Sequence, residues 1–188
     1  DSFRSFWADR YANKRGAYGT ENGLMHAFFM ATAQEFGEDQ YDMEAAFQAL
    51  EDAMPMQISE FTFNMLSQLE RGEVDIAVHI EGEALSLKRQ GAPVDIWHWT
   101  SRPILAQTKT ISRYSDPMQK RLAFALMNRT LSPEFLNAFG DEFMWRPTNS
   151  EASITAALAE EGVQNTADAV NEFWVPDWEF FVANKMEI

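Results

Sequence analysis

A chain of 188 residues that is 46% apolar, with six Trp and fifteen Phe, is long enough for one domain with a sizeable core, and this argues against disorder. The formal net charge of −14, from 15 basic and 29 acidic residues with no basic stripe, argues against a nucleic-acid partner. Zero cysteines exclude disulfides and thiolate metal sites, and no apolar run approaches the ~20 residues of a membrane span.

Residues 1–23, DSFRSFWADRYANKRGAYGTENG, read as a loop, a short strand and a turn. Thr20 or Asn22 then offers an N-cap for a helix in which Leu24, Phe28 and Ala31 share a face, stopping near Gly37. YDMEAAFQALEDAM predicts a second amphipathic helix that starts at Asp42 and ends before Pro55. Met56–Ile58 reads as a short strand. Ser59 is expected to cap EFTFNMLSQLERG, a helix ended by Gly72.

VDIAVHI is β-branched and unbroken, so Val74–Ile80 is expected to be a buried central strand. GEALSLKRQG returns as a helix ending at Gly91, and VDIWHW and ILAQTKTI read as further strands. This alternation predicts an α/β fold with a mixed, mostly parallel sheet flanked by helices. SDPMQKRLAFALMNRTLSPEFLNAFG predicts two helices capped by Ser115 and Ser132, each with Pro close behind. ITAALAEEG, TADAVNEFW and an aromatic tail around VPDWEFF close the chain. No signal-peptide pattern is present, so an exported form is expected to come from a longer precursor.

Three places carry candidate chemistry. On an extended strand His79, Glu81 and Glu83 would share a face and offer one nitrogen and two carboxylates to a metal. Gly82 breaks that alternation and no further histidine lies nearby, so Glu81 and Glu83 are read as the mouth of a pocket beyond a strand end. The helix starts at Thr20–Gly23, with Asn22, and at Ser59–Thr62 put free N–H groups and small hydroxyls at positive helix ends. The loop WHWTSRPILAQTK carries Trp97, Trp99, Arg102 and Gln107, in which an aromatic and an arginine suit a carboxylate or phosphonate. No nucleophile elbow, phosphate-cradling Gly loop or His-Glu-x-x-His is present, so no cofactor and no catalytic residue is expected.

The order of parts resembles a known family. A helix ending in Leu-x-x-Gly-Glu leads to an apolar strand, a Gly-x-Ala turn, a helix ending in Gly-x-Pro-Val and another strand. SDPMQKRLAFALMNRTLSPEFLNAFG and RPTNSEA follow. Together, over about Phe6–Ser150, they resemble the extracellular solute-binding proteins of ABC importers, the two-lobed type that includes polyamine, ferric-iron, thiamine and phosphonate binders.

The resemblance implies a periplasmic-binding-protein-like type II second lobe over 1–110 and 150–188, with 111–149 returning to a partial first lobe. It implies a periplasmic or extracellular receptor that is not an enzyme, takes a small polar organic solute and works with a membrane permease. Helix starts at Thr20 and Ser59 would then face the inter-lobe cleft. It also implies that most of a first lobe is missing, so Met118, Leu122, Phe124, Ala125, Leu126, Phe135, Leu136 and Phe139 are expected to be covered by a separate first-lobe chain, by a homodimer or by local rearrangement, with a partner chain favoured. The chain departs from the polyamine branch. Ile80 stands where that branch has an aromatic, and Leu105-Ala106-Gln107 stands where it has Trp-x-Asp, while Tyr114 lacks the paired tyrosine of ferric-iron binders. The alternative is an enzyme acting through the Glu81/Glu83 turn, with or without a metal.

Overall fold

A strand buried at all four positions, Arg15–Tyr18 (β1), anchors the sheet. The structure is a computed structural model that describes residues 2–98, 102–105, 107–164 and 167–184, with only the backbone of Ala167 and Val170. Two short 3-10 helices, Phe3–Trp7 and Asp9–Tyr11, precede β1 and drive Phe3 and Phe6 against Phe28. The Arg15 side chain, only 4% exposed, fastens this segment by donating to the carbonyls of Phe6, Trp7, Ala8 and Ala53. A buried guanidinium needs such partners, since its donors would otherwise lie desolvated and unmatched.

α1 (Gly23–Phe36) is capped by Asn22, whose side chain accepts from the amide of Leu24 at 2.9 Å. One side of α1 packs on Phe3, Phe6 and Ala53 and the other on Ala46 and Phe181. That enclosure is why Ala27–Ala33 is buried without a polar stripe. α2 (Met43–Asp52) starts at Asp42 as its sequence indicates.

β2 (Gln57–Ser59) and β3 (Ile76–Ala77) flank β1, giving the order β2-β1-β3 with both pairs parallel. α3 (Thr62–Glu70) links them, and its Met65 lies in the Tyr18, Leu24 and Val74 cluster beneath the sheet. α4 (Glu81–Arg89) leaves β3, and β4 (Arg102–Pro103) pairs with a strand from the far end of the chain. α5 (Pro117–Thr130), α6 (Pro133–Phe143), α7 (Ala156–Glu160), α8 (Ala167–Asn171), β5 (Phe173–Trp174) and α9 (Trp178–Asn184) complete the order. The class is α/β, with parallel sheets flanked by helices.

Several local expectations are corrected. Val74–Ile80 is not a central strand, because only Ile76 and Ala77 join the ladder and β1 holds the centre. The chain peels off after Ala77 to start α4, so Val78–Ile80 is extended and half-buried rather than fully enclosed. Of VDIWHW and ILAQTKTI, the described residues form no strand. The nearby ladder is the two-residue β4, where Pro103 has no N–H to extend it. Ser59 does not cap α3. It ends β2, buried, with its hydroxyl on Gln68 at 3.1 Å, and Phe61 precedes the helix without a side-chain cap. Asp116, not Ser115, caps α5, in a reciprocal box with Gln119, whereas Ser132 caps α6 as expected.

α6 packs on α4 and α7, and Met144 just beyond it joins Leu85, Leu158 and Val163 in one cluster. α5 meets α6 but leaves Met118, Leu122, Phe124 and Leu126 each about 60% exposed.

Candidate functional site

In a parallel sheet every strand ends on the same edge, and the helices that follow begin there. Ser59, Tyr18 and Ala77 end β2, β1 and β3, so the starts of α3, α1 and α4 meet along that edge. The Gly19 backbone amide donates to the Ser59 carbonyl at 3.2 Å, and the Asn22 side-chain Nδ2 to the Glu60 carbonyl at 3.1 Å, which ties two of these turns together.

At the third turn Glu81 opens α4, so Glu81 and Glu83 occupy the first helical turn rather than alternate positions of a strand. Gly82 lies inside the helix and lets the Met144 carbonyl and Trp145 ring come close, since a Cβ there would stand 2.8 Å from that oxygen. That approach delivers Arg146, whose Nε and Nη2 donate to the two oxygens of Glu81 at 2.7 and 2.8 Å. His98 Nε2 reaches Glu81 at 2.8 Å. Burial pushes the Glu81 carboxyl up, but the hydrogen bonds from Arg146 and His98 outweigh it and hold it at about 2.

His79 lies deeper, with its side chain 5% exposed. Burial brings its pKa down to about 4, so the ring is neutral at pH 7. Burial and the charge of Glu83 raise that of Tyr18, which keeps its proton and shares a hydrogen bond of 2.6 Å with His79 Nδ1. The other ring nitrogen, Nε2, lies 3.4 Å from Glu83 without a hydrogen bond to it. The three side chains form a buried polar cluster under the strand edge.

Beside Glu81 opens a cavity of about 1080 Å³. Its polar lining includes Glu81, His98, Arg102, Gln107 and Arg146, and Trp97 and Phe173 contribute aromatic surface. Arg102 and Arg146 approach the Phe173 ring, at 4.7 and 5.1 Å from its centroid. Arg102 is 12% exposed and holds Glu172 at 3.2 Å. Burial lowers its pKa, and the charge of Arg146 adds to that.

Of the residues singled out from sequence, His79, Glu81, Trp97, Arg102 and Gln107 share this cavity. Ser59 lines a smaller one, of about 490 Å³, with Glu60, Phe63 and Arg71. Thr20 is exposed at the turn before α1, its carbonyl 2.6 Å from His26 Nε2, while Asn22 caps α1 and Glu83 faces His79. Trp99 lies outside the described residues. Arg146, His98, Glu172 and Phe173 join Glu81 and Arg102 without a signal in the sequence: Arg146 and Glu172 stand 65 and 70 positions from their partners, and His98 reaches Glu81 across an irregular loop, so no periodicity links them. Among the described residues, no group of three or more His, Asp or Glu side chains converges as a metal would require.

No family model and no curated protein matches the sequence. Solved structures do match. An ABC transporter from Clostridium perfringens ATCC 13124 superimposes with a TM-score of 0.70 at 18% identity, over 100% of this chain and 60% of that one. A structure from Bordetella parapertussis assigned as an extracellular solute-binding protein gives 0.70 at 16% identity, over 100% of this chain and 58% of that one. The chain thus has the fold of solute-binding proteins and spans about three-fifths of the length of these structures.

Proposed function

We propose that the chain belongs to a receptor of an ABC import system, which captures a small polar organic solute and delivers it to a membrane permease outside the cytoplasm. The observation that carries this reading is the cavity that opens beside Glu81, largely apolar with Glu81, Arg102, Gln107 and Arg146 among its polar groups, where α4 begins at the strand-end edge of a sheet with the solute-binding fold. Glu81, Arg102 and Gln107, with Arg146 and Trp97, are the residues we assign to solute contact or its support. Thr20, Asn22 and Ser59 would border the same edge. Capture would proceed by closure of two lobes with no covalent step.

In this reading residues 1–110 and 150–188 form the second lobe and 111–149 return to the first. The rest of the two-lobed fold, beyond the part spanned here, is the cover we assign to the exposed apolar side chains of α5. The enzyme alternative is not favoured, because Glu81 is committed to Arg146 and His98 and its low pKa makes it a poor proton donor or base at neutral pH. The test is a mass spectrum of small molecules released when gently purified protein is denatured. A polar solute in near-stoichiometric amount supports the reading, and repeated preparations that release none contradict it.

A further inference from the structure

The two arginines that flank Phe173 are occupied differently. Arg146 presents the Nε–Nη2 edge of its guanidinium to Glu81, and both nitrogens are matched by one carboxylate at 2.7 and 2.8 Å. Arg102 has only half of that edge engaged. Its Nη2 contacts Glu172 at 3.2 Å, whereas its buried Nε finds no acceptor among the described residues. The partner is weak by position, since the Glu172 side chain is 56% exposed while that of Arg102 is 12% exposed. The indole Nε1 of Trp97 is a second buried donor without an acceptor among the described residues. Both side chains line the same cavity.

Resting on the receptor reading above, we propose that the solute carries a carboxylate, gripped by the Nε–Nη2 edge of Arg102 with the Trp97 indole N–H as a further donor. Guanidinium and indole nitrogens only donate, so their complement must accept. A planar group with two oxygens matches the edge of a guanidinium, as Glu81 does on Arg146 within the same cluster. An amine would bring a cation between Arg102 and Arg146, and a neutral carbonyl would satisfy one donor and leave the charge unmatched. Glu172 is the group a solute carboxylate displaces, swinging outward into the solvent it already meets. Glu81 stays with Arg146 and His98 and does not compete.

The experiment uses protein labelled with 15N-tryptophan, in which Trp97→Phe identifies the Trp97 indole resonance among the six. Succinate, succinamide and putrescine are the probes. Succinate is expected to shift the resonance saturably, and the other two are not. Arg102→Lys, which keeps the charge but loses the edge, is expected to weaken succinate roughly ten- to a hundredfold, the range of a charged hydrogen bond. Glu172→Gln, at an exposed position, is expected to tighten it severalfold by removing the competing carboxylate. No response to succinate, equal binding by Arg102→Lys, or weaker binding by Glu172→Gln overturns the assignment. If succinamide or putrescine shifts the resonance instead, the carboxylate assignment fails and the receptor reading stands. The receptor reading falls as well if the protein as purified releases no solute.

Discussion

Arg146 closes on Glu81 through two nitrogens across 65 positions of sequence, and so fixes the chain beyond α6 to the first residue of α4. Both side chains are 25% exposed, so the pair is shielded but not dry. Arg146→Gln is expected to destabilise the protein by on the order of 2 kcal/mol, between the values for surface and buried pairs. Urea denaturation of Arg146→Gln, Glu81→Gln and the double variant checks this. The double variant should cost clearly less than the sum of the two, and simple additivity would show that the pair contributes nothing.

Gly82→Ala tests how that pair is delivered. The new methyl would meet the Met144 carbonyl and the Trp145 ring, and the backbone carbonyl has little room to yield. A loss of about 1–3 kcal/mol is expected, typical of overpacking. Glu81 should titrate closer to its ordinary value once Arg146 is pushed away. An unchanged Glu81 titration by NMR would show that the close approach is not what holds Arg146 in place.

His79 predicts a pH dependence. Its folded pKa, about 4, lies below its ordinary 6.5 despite the Glu83 carboxylate 3.4 Å away and with Tyr18 on its other nitrogen. Between those values the unfolded chain binds more protons than the folded one. Stability is therefore full above pH 6.5 and falls as the pH drops towards 4, by on the order of 3 kcal/mol. Glu81 adds a separate loss below its ordinary 4.5, complete only near 2. Urea midpoints between pH 7.5 and 4.5 should slope downward in the wild type and much less in His79→Gln. Equal slopes would place the titrating group elsewhere.

Helix starts signalled by one residue were legible in sequence. Asn22, Asp42 and Ser132 each cap the helix that follows, because a cap is a bond within three positions. Strand extent was not legible. VDIAVHI has the composition of a buried strand, yet its ladder stops at Ala77 although Ala17 and Tyr18 continue β1, because the chain turns away there to start α4, and that depends on tertiary structure. Ser59 shows the same limit, since a serine before a helical pattern reads as a cap even where it ends a strand. At the site, Glu81 and Arg102 stood out as charges near strand ends. Arg146, Glu172 and Phe173 did not, because only folding brings them there.

The cavity also predicts which solutes fail. Ile80, Leu105 and Gln107 stand at the positions compared with the polyamine clamp, without its aromatic and acidic groups, and the half-engaged Arg102 guanidinium lines the same space. Spermidine and putrescine are expected to show no micromolar binding by calorimetry. A micromolar dissociation constant for spermidine would contradict that expectation.

Thermal unfolding across small organic solutes and divalent metals, with each stabilising solute recovered and examined by NMR, separates the proposed receptor role from catalysis. Ligand binding raises Tm in proportion to the logarithm of its excess over Kd. With the receptor role, a polar organic solute raises Tm without added metal and is recovered chemically unchanged. A rise produced by metal alone, or a solute recovered as a different compound, would contradict it.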